Sequence, residues 1–336
     1  MSIAVLVNVR ARHGSHTVGE KIRAILPDAR VAVTHSLEDA RAWVRDDLVH
    51  ARPKIVLSGG GDGTATALLN ELRAHGVQVP VFGLLPLGTG NGWARATGDV
   101  GTRAALRGLA ALRAHVEERP EDAPPVRTFD LVEAEGRLAP FAGTGWDAEV
   151  LADYKRFTEQ APAALRTLGG ATFGYLQSLF TRTIPRHLGG ERPRVRVVNL
   201  GEPALRADAD GRPVPVPGGG AGAVLYEGPL SVGGASITEE LGLGFRAFPF
   251  AHLVPGRMCV RVYAATTMSA TLRIASLWRG AHPLPDDHHF FVTKVRFELD
   301  RPMPIEIGGD LLGDRTTLEL SRVPEAVPLV DWRKMS

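Results

Sequence analysis

Three successive glycines, Gly59-Gly60-Gly61, followed by Asp62-Gly63-Thr64, stand directly between a strand-like apolar run and a helical pattern. Glycine lets a backbone turn sharply and approach a ligand with no Cβ in the way. The helix that follows offers unpaired N–H groups and a positive dipole end, which together suit a phosphate. Asp62 adds a carboxylate able to engage a metal-bound nucleotide or to orient a hydroxyl. Thr64 fits an N-cap that also touches a phosphate. The glycines alone fit a capped structural turn as well. Neither G-x-x-x-x-G-K-[ST] nor G-x-G-x-x-G occurs here, so P-loop and dinucleotide fingerprints are poor fits.

The surrounding pattern tells what such a loop is mounted on. Strand-like runs at Ile3 to Val7, Arg30 to Thr34, Lys54 to Leu57 and Val81 to Leu84 alternate with helical patterns. The helices are expected at Val18 to Leu26, from near Ser36, and at Thr64 to His75. Such alternation predicts an α/β fold whose N-terminal sheet is open and mostly parallel, with helices on both faces. An acidic, Pro-rich segment, Glu117 to Pro125, reads as a linker. Beyond it, strands dominate at Phe129 to Glu133, Arg194 to Val198, Met258 to Tyr263, Phe290 to Leu299 and Thr316 to Leu320. Helical stretches at Ala148 to Phe157, Ala163 to Arg182 and Ser269 to Leu277 interrupt them. The predicted division is an α/β domain over residues 1–122 and a β-rich, sandwich-like domain over 123–336, with Pro324 to Trp332 packing back on the first.

A second loop narrows the chemistry. Pro86-Leu87-Gly88-Thr89-Gly90-Asn91 follows the fourth strand and precedes a short helix, Trp93 to Ala96. Two glycine loops at adjacent strand ends would line one crevice of an open sheet. Gly60-Gly61-Asp62-Gly63-Thr64 and Pro86 to Asn91, at this spacing, resemble the paired nucleotide-binding motifs of diacylglycerol kinase catalytic domains. Those motifs are shared by bacterial lipid kinases and by sphingosine and ceramide kinases. The resemblance extends more weakly over almost the whole chain. Thr34 is similar to a nucleotide-contacting threonine of that family, and Phe129-Asp130-Leu131 to the leading strand of its second domain. Gly145-Trp146-Asp147-Ala148 and Pro304 to Asp310 resemble later segments, the last carrying the family's Asp-Gly-Glu motif.

The resemblance implies a kinase that binds ATP with Mg²⁺ between its domains and phosphorylates a lipid hydroxyl, diacylglycerol- or sphingoid-like. Thr34, Gly60, Gly61, Asp62, Gly63, Thr64, Thr89 and Asn91 would hold the nucleotide. Asp310, in the position of the motif's glutamate, would be the catalytic base alongside Asp62; a turn residue after Gly308-Gly309 is the other reading of Asp310. Several positions depart from the family: Gly308 for the motif's first Asp, Thr66-Ala67 for an Asn-Glu pair, Gly92 for an Asp. Val254-Pro255-Gly256-Arg257 replaces an Asp-rich segment that holds a structural magnesium. The departures leave two alternatives open. One is a nucleotide-binding protein without catalysis; the other is a kinase for a soluble alcohol such as NAD.

Other features exclude or add little. With 39 basic and 37 acidic residues the net charge is +2, too balanced to imply a nucleic-acid partner. The start lacks a signal-peptide pattern and no run reaches the ~20 apolar residues of a membrane span. A cytoplasmic protein with peripheral contact at the inner membrane surface is expected. Cys259, in an alternating strand pattern, reads as a packed thiol. Asp286-Asp287-His288-His289 reads as a solvated loop in preference to a metal cluster. The aromatic-rich stretch Leu165 to Phe180 and the segment Gly242 to Phe250 are candidate acceptor walls or simple packing.

Overall fold

The computed structural model describes residues 2–77, 81–88, 91–98, 101–160, 181–182, 185, 187, 191–241 and 244–335. The chain divides into two compact units, one of Met1–Asp130 with Pro324–Ser336 and one of Leu131–Val323.

The first unit is built on a parallel sheet. Strand β1 (Ile3–Asn8) lies between β2 (Arg30–Thr34) and β3 (Ile55–Gly60), and β4 (Val81–Pro86) lies beside β3. The end of the last strand, β16 (Asp310–Val330), joins β4 in parallel through Leu329 and Phe82. β1 and β3 are continuous apolar runs, as strands buried on both faces require. Ile3, Val5, Val7, Ile55 and Leu57 pack with helix α1 (His16–Ile25) and helix α5 (Thr102–Glu118). The alternate residues Ala4, Leu6, Val56 and Phe82 are buried as well. Helices α2 (Leu37–Trp43), α3 (Val49–Ala51) and α4 (Asp62–Ala74) complete the unit.

Local sequence sets the helix starts. Ser15 Oγ accepts from Val18 N at the start of α1. Ser36 and Asp39 form a reciprocal capping box at the start of α2, which fixes the helix expected there. The chain's last turn is anchored by Trp332. Its indole Nε1 donates to Leu84 O at 3.0 Å, and its ring fills space that Gly98 and Gly108 leave open.

The second unit is antiparallel. Strand β5 (Val126–Ala134) leads into it and pairs with β6 (Arg137–Ala139). β9 (Leu205–Ala207) pairs with β10 (Pro213–Pro215), and β11 (Val224–Pro229) pairs with β8 (Arg194–Asn199). Strand β7 (Phe141–Gly145) pairs with β12 (Val232–Ser236), which pairs with β13 (Met258–Tyr263), which pairs with β14 (Asp287–Val292). β15 (Lys294–Ile307) pairs along its first half with β8 and along its last residues with β7. Helix α6 (Trp146–Gln160) follows β7, and α7 (Thr267–Leu272) and α8 (Ile274–Trp278) follow β13. The expected α/β unit and β-rich region are therefore both present.

Two expectations are corrected. Phe290 to Leu299 is two strands broken at Thr293, not one. The Asp286 to His289 segment is not a solvated loop: β14 starts at Asp287, and Asp287 and His289 side chains are fully buried. The reason is an arginine on the neighbouring strand, Arg261, which needs a buried carboxylate partner. Cys259 is buried beside it, and burial pushes its thiol pKa up to about 12, as a packed thiol requires. The stretch from 165 to 180 and residues 242 and 243 lie outside the described residues.

Candidate functional site

The C-terminal ends of β1 to β4 gather most of the sequence-predicted nucleotide residues of the first unit. β3 ends at Gly60 and the backbone turns through Gly61 straight into α4, so the α4 N–H groups point off the sheet edge. β4 ends at Pro86, and Leu87 N and Gly88 N both donate to Gly60 O at 2.9 Å. The two loops touch at glycines: a Cβ on Gly88 would collide with Gly61 Cα. Only residues without a side chain permit that approach.

Asp62 fastens the second loop to the first. Its Oδ2 accepts from Gly92 N at 2.7 Å and its Oδ1 from Trp93 N at 3.1 Å. Asn91, at φ 49°, adopts the left-handed conformation that asparagine tolerates better than most residues. Its Oδ1 accepts from Gly88 N, and its Nδ2 donates to Gly88 O, so the side chain closes its own loop. Thr89, predicted to face the same crevice, and Gly90 lie outside the described residues.

Thr64 differs from expectation. The N-cap of α4 is Gly61, and Thr64 sits in the first turn, where its Oγ1 accepts from Asn8 Nδ2 at 3.0 Å. Asn8 is a residue that sequence reasoning did not place in the site. It ends β1, pairs in register with Thr34 at the end of β2, and accepts from Arg10 N. The signal was present as a lone Asn after an apolar strand. Thr34 is buried, with its Oγ1 3.5 Å from Val7 O. Gly63 faces open space, with nothing within 4 Å of where its Cβ would stand.

In the second unit, Gly308 and Gly309 take φ of 58° and 87° and turn a two-residue hairpin that pairs Ile307 with Asp310. Positive φ at both central positions is what this tight hairpin turn demands. Asp310 thus opens β16, and its Oδ2 lies 3.2 Å from Arg137 Nη2. Glu306, on the same hairpin, is buried and hydrogen-bonded to Asp147. Two carboxyl groups can share a hydrogen bond only if one holds a proton. Burial pushes the Asp147 pKa up to about 6, partly opposed by the bonds from Ala148 N and Glu306.

Asp147 and Arg261 are the charged residues lining a cavity of about 90 Å³ whose other walls are almost wholly apolar. Trp146, Val150, Val232, Phe245, Tyr263, Ile274, Leu277 and Trp278 form most of it. Such walls accept a hydrocarbon segment, with polar chemistry confined to one side. The sequence singled out one wall, Phe245 in the segment Gly242 to Phe250, but not the cavity itself, whose other lining from β12, β13, α6, α7 and α8 only the fold brings together.

Asp147 gives a pH-dependent expectation. Its folded pKa, about 6, lies above the ordinary 3.8, so its stabilising protonated form is fully populated below about pH 4 and lost as pH rises through 6. Asp147→Asn removes that loss. Relative to wild type, the variant should gain stability between about pH 4 and pH 8. Urea unfolding at the two pH values checks this; an unchanged difference would mean the carboxyl ionises freely.

Residues 2–121 match the model of the diacylglycerol kinase catalytic domain. A Pseudomonas fluorescens protein described as a "Probable lipid kinase YegS-like" is 29% identical over 169 residues, 48% of this chain and 50% of that protein. The chain thus spans about half the length of the curated relative it matches. A diacylglycerol kinase crystal structure from Bacillus anthracis str. Sterne shares the fold, with TM-score 0.61 and 16% identity over 98% of this chain and 96% of that one. A second crystal structure from the same organism gives TM-score 0.67 at 18% identity, over 98% and 95% of the two chains. Residues 2–121 thus resemble the catalytic domain of diacylglycerol kinases, and the likeness to the solved structures, at 16–18% identity, is one of fold over the rest of the chain.

Proposed function

We propose that this chain transfers the γ-phosphoryl group of ATP to a lipid hydroxyl. The observation that carries the reading is the lock between the two glycine loops, made by Asp62 with Gly92 N and Trp93 N. It presents the α4 N-terminus and a Cβ-free surface at Gly61 and Gly88 to the same space, which suits a polyphosphate. Thr34, Gly60, Gly61, Gly63, Thr64, Asn91 and Thr89 are the residues assigned to the nucleotide. Mg²⁺ would arrive as the nucleotide's counter-ion. Among the described residues no group of three or more His, Cys, Asp or Glu is placed to hold a metal, and magnesium commonly combines one or two carboxylates with phosphate oxygens. ATP with Mg²⁺ would supply a phosphoryl group whose transfer depends mainly on positioning and charge neutralisation.

Asp310 is assigned the base that takes the acceptor's proton, with Arg137 fixing the carboxylate's orientation. The apolar cavity of the second unit supports a hydrocarbon-bearing acceptor. So do the names of the relatives, a lipid kinase and a diacylglycerol kinase. No helix of the described residues is long and apolar enough to cross a membrane, and we assign the protein a cytoplasmic, peripheral place.

The test is transfer of radiolabelled phosphate from ATP·Mg²⁺ onto an extracted lipid pool, with Asp310→Ala and Asp62→Ala beside wild type. A labelled lipid that both variants lose supports the reading, and its chromatography names the acceptor. Label on a soluble alcohol such as NAD replaces the lipid acceptor. ATP binding with no labelled product from either pool leaves a nucleotide-binding protein without transferase activity.

A further inference from the structure

Helices α7 and α8 present apolar side chains on both sides. Their inner residues, among them Ala270, Ile274 and Leu277, line the cavity. Outward, Leu272 is 79% exposed and Met268 60%, the two most exposed large apolar side chains among the described residues. They sit one turn apart on α7; Ala275 on α8 and Arg279, which caps the end of α8, are exposed as well. A helix that merely faces water carries polar residues there.

Charge singles out the same segment. From Ala264 to Pro285 there is no Asp or Glu, while Arg273, Arg279 and His282 are present. Arg279 Nε is bonded to Ala275 O, and Arg273 Nη1 to Ser269 O. Among the described residues neither guanidinium is paired with a carboxylate. Exposed leucine and methionine next to unneutralised arginine is the composition of a segment that inserts shallowly into an anionic interface.

We infer that the α7–α8 pair docks on an anionic bilayer, with Met268 and Leu272 among the acyl chains and Arg279 against lipid phosphates. The inference rests on the lipid-acceptor reading for its purpose: the element touching the bilayer is also a wall of the cavity assigned to the acceptor's hydrocarbon. A second copy of the chain is the weaker occupant, because two side chains cover far less than the ~1,200 Å² that stable interfaces bury.

The test is co-sedimentation of the full chain with vesicles of equimolar phosphatidylglycerol and phosphatidylcholine, and with phosphatidylcholine vesicles alone. Wild type should prefer the anionic vesicles. Met268→Ser with Leu272→Ser should lower that partition about tenfold or more, and Arg279→Glu should remove much of its salt sensitivity. ATP affinity and near-ultraviolet circular dichroism should stay at wild-type values, which keeps misfolding out of the result. Equal vesicle binding by the double variant overturns the inference. So does a wild-type dimer in sedimentation velocity that the double variant abolishes. Vesicle binding lost as expected with no lipid ever phosphorylated sinks the kinase reading and leaves the docking face standing. Lipid phosphorylation alongside unchanged vesicle binding by the variant does the reverse.

Discussion

Asp287→Ala should destabilise the second unit by about 3–5 kcal/mol, among the largest effects of any single substitution here. Arg261 lies in the middle of β13, 3% exposed at its side chain, and Asp287 opposite it is 0% exposed. The pair is bidentate, Nε to Oδ1 at 2.8 Å and Nη2 to Oδ2 at 2.7 Å. The remaining Nη1 donates to Ala247 O at 2.6 Å. Truncating Asp287 leaves a guanidinium that can neither lose its proton nor reach water, which is the costly case. Replacing both partners, as in Arg261→Met with Asp287→Leu, removes charge and counter-charge together and should recover most of the loss. Urea denaturation of the three proteins checks both statements. A cost below about 1 kcal/mol for Asp287→Ala would mean the arginine finds another partner. Because Arg261 also lines the apolar cavity, the single variant should disturb acceptor binding as well.

The same cluster sets an acid limit. Burial alone would raise the Asp287 carboxyl, but His289 and the Arg261 guanidinium outweigh it and hold the group well below the ordinary 3.8. A depressed acid contributes stability above its unfolded value and loses it as pH falls toward its folded value. Burial lowers the pKa of His289 from its ordinary 6.5, partly opposed by its contact with Asp287. Its contribution is likewise complete above about pH 6.5 and falls with acidification, because the unfolded chain takes up the proton first. Both groups therefore weaken the fold in the same direction, opposite to Asp147.

What the sequence disclosed follows from the range of the forces involved. β2 and β13 were legible to the residue, because strand alternation and breakers are local. The capping box at Ser36 was also local, since Ser36 and Asp39 satisfy each other. The two glycine loops were legible because their composition is dictated by a contact, Gly61 against Gly88, that no side chain survives. The Asp286 to His289 segment was not, because two acids and two histidines look solvated until Arg261 is placed on the next strand. One signal was available: an arginine between Val260 and Val262 in an otherwise apolar strand asks for a buried acid. Thr64 was misjudged as a cap because its partner, Asn8, comes from the end of β1, far away in the sequence. Asp147 and Glu306 were each visible in their segments, but their shared proton depends on β15 lying beside β7.

Asp62→Ala should raise the dissociation constant for ATP by roughly tenfold to a hundredfold, and the decisive comparison is with and without Mg²⁺. The Asp62 carboxylate receives two backbone N–H groups from the second loop. Removing it strands both donors, each costing about 1–3 kcal/mol if it stays buried, and frees the loop from its seat. Asp62→Asn should be little better, because an amide offers one acceptor and turns a donor toward the second N–H. If Asp62 acts by holding the loops, affinity falls equally in EDTA and in magnesium, and Gly88→Ala, which drives a Cβ into Gly61, reproduces the loss. If it acts chiefly as a metal ligand, ATP binds the variant normally in EDTA and the defect emerges only with Mg²⁺. Both oxygens already accept a backbone N–H, which favours the first outcome: Asp62 shapes the site that receives the phosphates, and any metal contact it makes is added to that role.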